Sequence, residues 1–180
     1  QYGSAALNGI IAVSTNWPTK VKETRVSVFN TMYGDPPIKA GKWWDKTDNI
    51  FEKPQDLGIQ FAHLRKLNDE MDLVVSGAMI YSQSHIMNQS NHRVRNNIKW
   101  RYTPEKIKGL SLSLNSNLLY RNNDQFFIWN NNTTGAYQGR SFKDQYLRYS
   151  IDPVIKYFFK DNNQLSFINR IYYDQRINKG

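Results

Sequence analysis

Three histidines, no cysteine and a few scattered carboxylates limit the chemistry open to this chain of 180 residues. His63, His85 and His92 fall on different segments; only His85 and His92, which flank one bend, could approach each other as a metal pair. Two ordinary loop histidines are the commoner outcome of such spacing. Asp69, Glu70 and Asp72 crowd a single turn that could hold a cation, but the spacing and glycine of a calcium loop are absent, so a solvated turn is the stronger reading. Neither a Gly-x-Ser-x-Gly elbow, a phosphate-binding loop nor a His-Glu-x-x-His helix occurs. No catalytic residue, metal site or cofactor is expected, and the chain does not read as an enzyme. Binding is better supported. Trp43 and Trp44, with Lys39, Lys42, Asp45 and Lys46 beside them, could stack on a sugar, haem or siderophore. Phe127 and Trp129, next to Asn130-Asn131-Asn132, make a similar case. The alternative for both groups is aromatic packing of a loop against its neighbours, which is about twice as common.

The elements that carry these loops announce themselves by a period of two. Ile98, Trp100 and Tyr102 alternate with Asn97, Lys99, Arg101 and Thr103. After Pro104 to Gly109 the rhythm resumes, with Leu110, Leu112, Leu114, Leu118 and Tyr120 set against Ser111, Ser113, Asn115 and Asn117. Alternation of this kind places the two sets on opposite faces of a strand. Pro104 lacks an N–H and Gly109 tolerates positive φ, so both suit the turn. Strands of soluble domains run about 5–6 residues, and spans of a membrane need about 9–11 tilted residues. Ten steps from Leu110 to Tyr120, tilted by about 40°, climb roughly 25 Å, the height of an outer-membrane apolar band.

In chain order, residues 1–22 differ from the remainder. A Gly-punctuated opening leads into Ile10-Ile11-Ala12-Val13-Ser14-Thr15, too continuously apolar to have a wet face and therefore read as a strand buried on both sides. Residues 18–22 read as a linker. The two-residue rhythm begins at Glu23 and recurs over 55–67, 73–84, the strand ending at Tyr102, 110–120, 146–159 and 165–173, about seven strands in all. Pro153 within one of them predicts a bulge. The turns at 68–72, 104–109 and 160–163 are tight, those at 34–54 and 121–143 are long, and 85–92 is intermediate. Short turns at one end and long loops at the other are the habit of an outer-membrane barrel. Tyr102, Tyr157, Phe159 and Phe167 beside the tight turns fit an aromatic girdle.

Bulk properties agree without deciding. No apolar run approaches the roughly 20 residues of a membrane helix, and low mean hydropathy does not argue against a barrel, whose apolar band occupies every second residue. The formal charge is +9. Its basic residues are dispersed, the nearest approach to a stripe being Arg93, Arg95, Lys99 and Arg101, so no nucleic-acid partner is expected.

The opening residues Tyr2-Gly3-Ser4-Ala5-Ala6-Leu7-Asn8-Gly9, followed by the apolar strand closing in Thr15, resemble the end of the plug domain in TonB-dependent outer-membrane receptors. Phe29, Tyr33-Gly34-Asp35-Pro36 and Trp43-Trp44 give the likeness a Bacteroidota-type flavour. Tyr2, Gly3, Ser4, Leu7, Asn8 and Gly9 carry the motif, which spans about the first tenth of the chain. The resemblance implies an all-β architecture. Residues 1–17 would end a plug, and 23–180 would form the N-terminal portion of an antiparallel up-and-down transmembrane barrel of about 22 strands. About seven strands cannot close around a plug, so the sequence is expected to be a fragment. The implied function is active uptake of a scarce nutrient such as a siderophore, haem, vitamin or glycan across the bacterial outer membrane. The implied partners are the TonB energy-coupling complex, reached through a more N-terminal segment, the small-molecule or oligomeric nutrient, and outer-membrane lipid and lipopolysaccharide. A soluble or surface β-sandwich binding carbohydrate through exposed aromatics is the competing expectation.

Overall fold

Period-two patterning over most of the chain produces one antiparallel sheet. The computed structural model describes residues 17–34, 49, 53–84, 89–125, 129–131, 135–136, 142–159 and 163–179, and within them every regular element is a strand. These are β1 (Lys22–Met32), β2 (Gln55–Lys66), β3 (Met71–Gln83), β4 (Ser90–Tyr102), β5 (Leu110–Gln125), β6 (Trp129–Asn131), β7 (Gly135–Ala136), β8 (Phe142–Phe158), β9 (Gln164–Ile168) and β10 (Ile171–Lys179). Eight of them form a sheet in the order β1-β2-β3-β4-β5-β8-β10, with β9 also paired to β8, while β6 and β7 make a small hairpin of their own. Each strand runs beside its predecessor in the sheet, so the topology is up-and-down. Among the described residues the sheet is open, with β1 at one edge and β10 at the other.

The strands run well past the common length of about 5–6 residues. β3 and β4 have 13 residues each, β5 has 16 and β8 has 17. All exceed the run of about 9–11 residues needed to cross a bilayer at a tilt. Several strands extend beyond their expected bounds: β8 begins at Phe142 and β10 runs on to Lys179, while β5 continues through Arg121 to Gln125 and β4 begins at Ser90 inside the anticipated bend. The polar residues that made these stretches look like loops are cross-strand partners, Asn91 facing Asn123 and His92 facing Asn122.

The tight turns gather at one end and are sewn to each other. Thr103 donates its backbone N–H to the Glu70 carbonyl at 2.8 Å, linking the β2–β3 and β4–β5 turns. Phe158 donates to the Gly109 carbonyl at 2.9 Å, carrying the link on to β8. Gly109 has φ +88°, and a Cβ there would lie 2.3 Å from the Phe158 carbonyl oxygen, so geometry and space both demand glycine.

Pro153 does not make a bulge. Across it the β5–β8 register is unbroken, Leu114 facing Pro153 between Ser113↔Val154 and Asn115↔Asp152. Its peptide groups point the other way: Asn169 donates to the Pro153 carbonyl at 3.1 Å, and the reciprocal bond from a proline nitrogen cannot exist. The cost is one missing rung between β9 and β10, which keep a common register on β8, as Val154↔Ile168 and Ile151↔Ile171 show. Arg170 bridges that gap by a two-pronged contact to Asp152, Nε to Oδ1 at 2.7 Å and an Nη to Oδ2 at 2.9 Å. The eight strands therefore trace seven lines, since β9 and β10 are two lengths of one.

Candidate functional site

Pairing fixes which side chains share a face, and the two faces differ throughout the sheet. One carries Val26 and Val28 of β1, Ile59 and Phe61 of β2, Val75 and Met79 of β3, Val94 and Ile98 of β4, Leu114 and Leu118 of β5, Ile151 and Ile155 of β8, and Phe167 and Ile171 of the last line. The other carries Arg25, Gln60, Asp72, Ser76, Arg95, Asn97, Ser113, Asn117, Asp144, Arg148, Asp152 and Asp174 from the same strands.

Burial runs opposite to polarity. Val28 is 68 % exposed, Met79 58 % and Ile171 58 %, whereas Asp144 is 5 % and Asp72 7 % exposed. No described element covers the apolar face, and Leu114 in the row Leu110–Leu114 is 40 % exposed. Aromatic rings bound the aliphatic band at two levels. Near the tight turns lie Trp100 and Tyr102, stacked with ring centres 6.3 Å apart, and Tyr157 with Phe159, edge to face at 4.8 Å. Toward the long-loop end lie Tyr120 and the cross-strand pair Tyr149–Tyr173, stacked at 5.0 Å. From Tyr149 to Tyr157 is about eight residues, roughly 26 Å along the strand and about 20 Å in height at a tilt of about 40°.

The polar face is held by charge. Asp144 accepts from Arg176 Nε at 2.8 Å and from an Arg121 Nη at 3.1 Å, tying β5, β8 and β10 together. Asp174 accepts from Arg148 at 2.9 Å, Tyr172 at 2.7 Å and Tyr146 at 3.0 Å, and the Arg148 guanidinium lies 5.0 Å from the Tyr146 ring centre. Asp72 holds Arg101 through its Nε at 2.9 Å. Crossing contacts of this kind pack long polar side chains against one another, which is why the Asp72 and Asp144 carboxylates are hidden although no described apolar layer covers them; Asp174, on the last line, stays exposed. The expected basic stripe of β4 does share this face: Lys99 and Arg101 lie at the tight-turn end, while Arg93 and Arg95 are exposed and without an ion pair among the described residues.

At the long-loop end of the polar face is an open cavity of about 280 Å³, lined by Tyr33, Asp56, Ser82, Ser84, Gln89 and Asn91. Tyr33 donates its hydroxyl to Asp56 at 2.5 Å, and that carboxylate holds the phenol above its ordinary value of 10.0. Desolvation adds a smaller push in the same direction. This cavity is not legible in the order of residues, because its lining comes from segments far apart in the chain.

Of the residues singled out by sequence, Tyr2, Gly3, Ser4, Leu7, Asn8, Gly9, Trp43, Trp44 and Phe127 lie outside the described residues, as do the strand 10–15 and His85. Trp129 begins β6, its backbone facing Ala136. The other histidines are apart: His63 meets the Thr24 hydroxyl at 2.8 Å, and His92 sits edge-on to Tyr81 at 4.7 Å. The acidic turn also comes apart. Asp72 enters β3 and faces Arg101, while Glu70 accepts the Glu105 N–H at 2.7 Å, so these carboxylates brace neighbouring strands and turns. Comparison with known proteins adds no relative: no family, curated protein or solved structure matches the chain.

Proposed function

We propose that this sheet is part of the wall of a transmembrane β-barrel in a TonB-dependent receptor of the bacterial outer membrane, with residues 1–17 ending a plug. Its function in this reading is active uptake of a scarce nutrient such as a siderophore, haem, vitamin or glycan. One observation carries the proposal: an exposed aliphatic band, edged by aromatic rings at two levels, on the face opposite a charged and hydrogen-bonded one. In water such a face would be an aggregation surface. In a bilayer it is the surface the solvent requires, because backbone groups are satisfied between strands and only apolar side chains meet lipid.

The supporting details are of three kinds. Strand lengths suit a tilted crossing, the short turns share one end, and the resemblance of residues 2–15 to a plug terminus sits directly ahead of the first strand. The substrate would meet the long-loop end, where the cavity by Tyr33 and Asp56 opens, and the TonB complex would act from the opposite side. Fractionation of the native full-length protein tests the reading. Recovery with outer membranes, released only by detergent, is the expected result; recovery in the soluble fraction would replace the barrel with a sandwich module.

A further inference from the structure

The stretch just ahead of β1 is more than a connector. Trp17 lies on the polar face of the sheet, its ring centre 4.2 Å from Lys99 Nζ and 4.5 Å from the Arg101 guanidinium carbon. Pro18 beside it is buried, and Val74, which faces Lys99 across the β3–β4 pair, is 6 % exposed on this otherwise hydrophilic side. Arg101 is not free to turn away, because Asp72 grips it from β3. An indole is the side chain whose face attracts a cation most strongly, and two cations fixed by the sheet present themselves to this one. The side chains that follow, Thr19, Lys20 and Val21, are exposed, and the chain is next held where the Val21 carbonyl accepts the Lys66 N–H at 2.9 Å.

We infer that Trp17 is a cation–π anchor that seats the chain preceding β1 on the polar face, and that Asp72 acts as a positioning residue by fixing Arg101 beneath it. The anchor selects a side. It delivers the segment ahead of the sheet to the charged face, away from the aliphatic band, and holds it at the end where the tight turns gather. The geometry stands by itself. Its meaning, that a stopper is tethered on the water side of a membrane wall, rests on the transport reading above.

The test uses the full-length protein in detergent or lipid, with a nitroxide attached at an introduced Thr19→Cys and, separately, at Glu105→Cys in the β4–β5 turn as a monitor of folding. Electron paramagnetic resonance reads the mobile fraction. Trp17→Leu keeps apolar bulk and removes the aromatic face; it is expected to raise the mobile-to-immobile ratio at position 19 about tenfold, with position 105 unchanged. Trp17→Phe should recover most of the immobilisation, and Asp72→Asn should raise mobility roughly threefold. The anchor is overturned if Trp17→Leu leaves position 19 as immobile as the native protein, or if Phe and Leu mobilise it equally. Failure of the anchor and failure of the transport reading are separable. Outer-membrane recovery with an unresponsive label rejects the anchor alone; a responsive label in a soluble protein keeps the anchor and rejects the membrane wall.

Discussion

Apart from Ser116, the even-numbered residues of β5 from 110 to 120 are Leu110, Leu112, Leu114, Leu118 and Tyr120, and apart from Leu119 the odd-numbered ones from 111 to 121 are Ser111, Ser113, Asn115, Asn117 and Arg121. In a soluble β-sandwich the first set would be covered and the second wet. Here Leu114 and Leu118 are exposed, and at neighbouring heights on the other face Ser150 and Asp152 are buried. The contrast shows that the two sides of one sheet are held differently. Charged and hydrogen-bonded pairs knit one side, and on the other the aliphatic side chains are left uncovered by any described element.

That asymmetry can be broken most directly by a charge in mid-band. Ile98→Arg or Ile151→Arg, in the full-length protein reconstituted in lipid, should cost about 2–4 kcal/mol in denaturant unfolding. Asn117→Arg, across the sheet from that band, should stay within about 0.5 kcal/mol. Equal costs on the two faces would mean that neither meets lipid. A step down, Gly109→Ala forces a side chain at positive φ against the Phe158 carbonyl and should cost about 1–3 kcal/mol on either reading of the solvent. It therefore serves as an internal standard for the first experiment. Asp144→Asn removes the charge that holds both Arg121 and Arg176; a loss of about 1–2 kcal/mol is expected, shrinking in high salt more than the mid-band effect does. The smallest effect concerns the cavity at the long-loop end. With Asp56 beside it, Tyr33 should have its phenolate midpoint above the ordinary value of 10.0, and Asp56→Asn should bring that midpoint back toward it in an ultraviolet difference titration. The raised value means that the stabilising Tyr33–Asp56 contact is complete below the unfolded phenol's value and disappears as pH rises through the folded one.

Much of the sheet was legible because alternation reports faces without any knowledge of partners. The hairpin on either side of Gly109 was recoverable from Leu, Ser and Asn spacing alone, and the turn residue has the backbone its type implied. What alternation cannot supply is register. Asn91, His92, Asn122 and Asn123 looked like loop residues until their pairing was seen, and Pro153 looked like a bulge because its peptide direction is invisible in a string of letters. Phe29 facing Gly58, and Phe61 facing Gly77, fill spaces that a Cβ would need, with ring carbons as near as 2.3 Å and 2.4 Å. Those two glycines read as ordinary strand residues in sequence. Trp17 is illegible in sequence for the same reason: its cations, Lys99 and Arg101, are far along the chain, and only the β3–β4 pair brings Asp72 to hold one of them. Ligand contacts at Trp43, Trp44 and Phe127 stay at the level of residue type, since those positions lie outside the described residues.

The missing rung at Pro153 has a mechanical consequence for the sheet's final line. Its two lengths, Gln164–Ile168 and Ile171–Lys179, grip β8 as separate zippers, joined at the break by Arg170 on Asp152 and by the bond from Asn169. Separation of this line from β8 therefore proceeds in two stages, one length parting while the other still holds. Ionic strength, by loosening a guanidinium only partly shielded from water, becomes the dial that sets how far such fraying spreads.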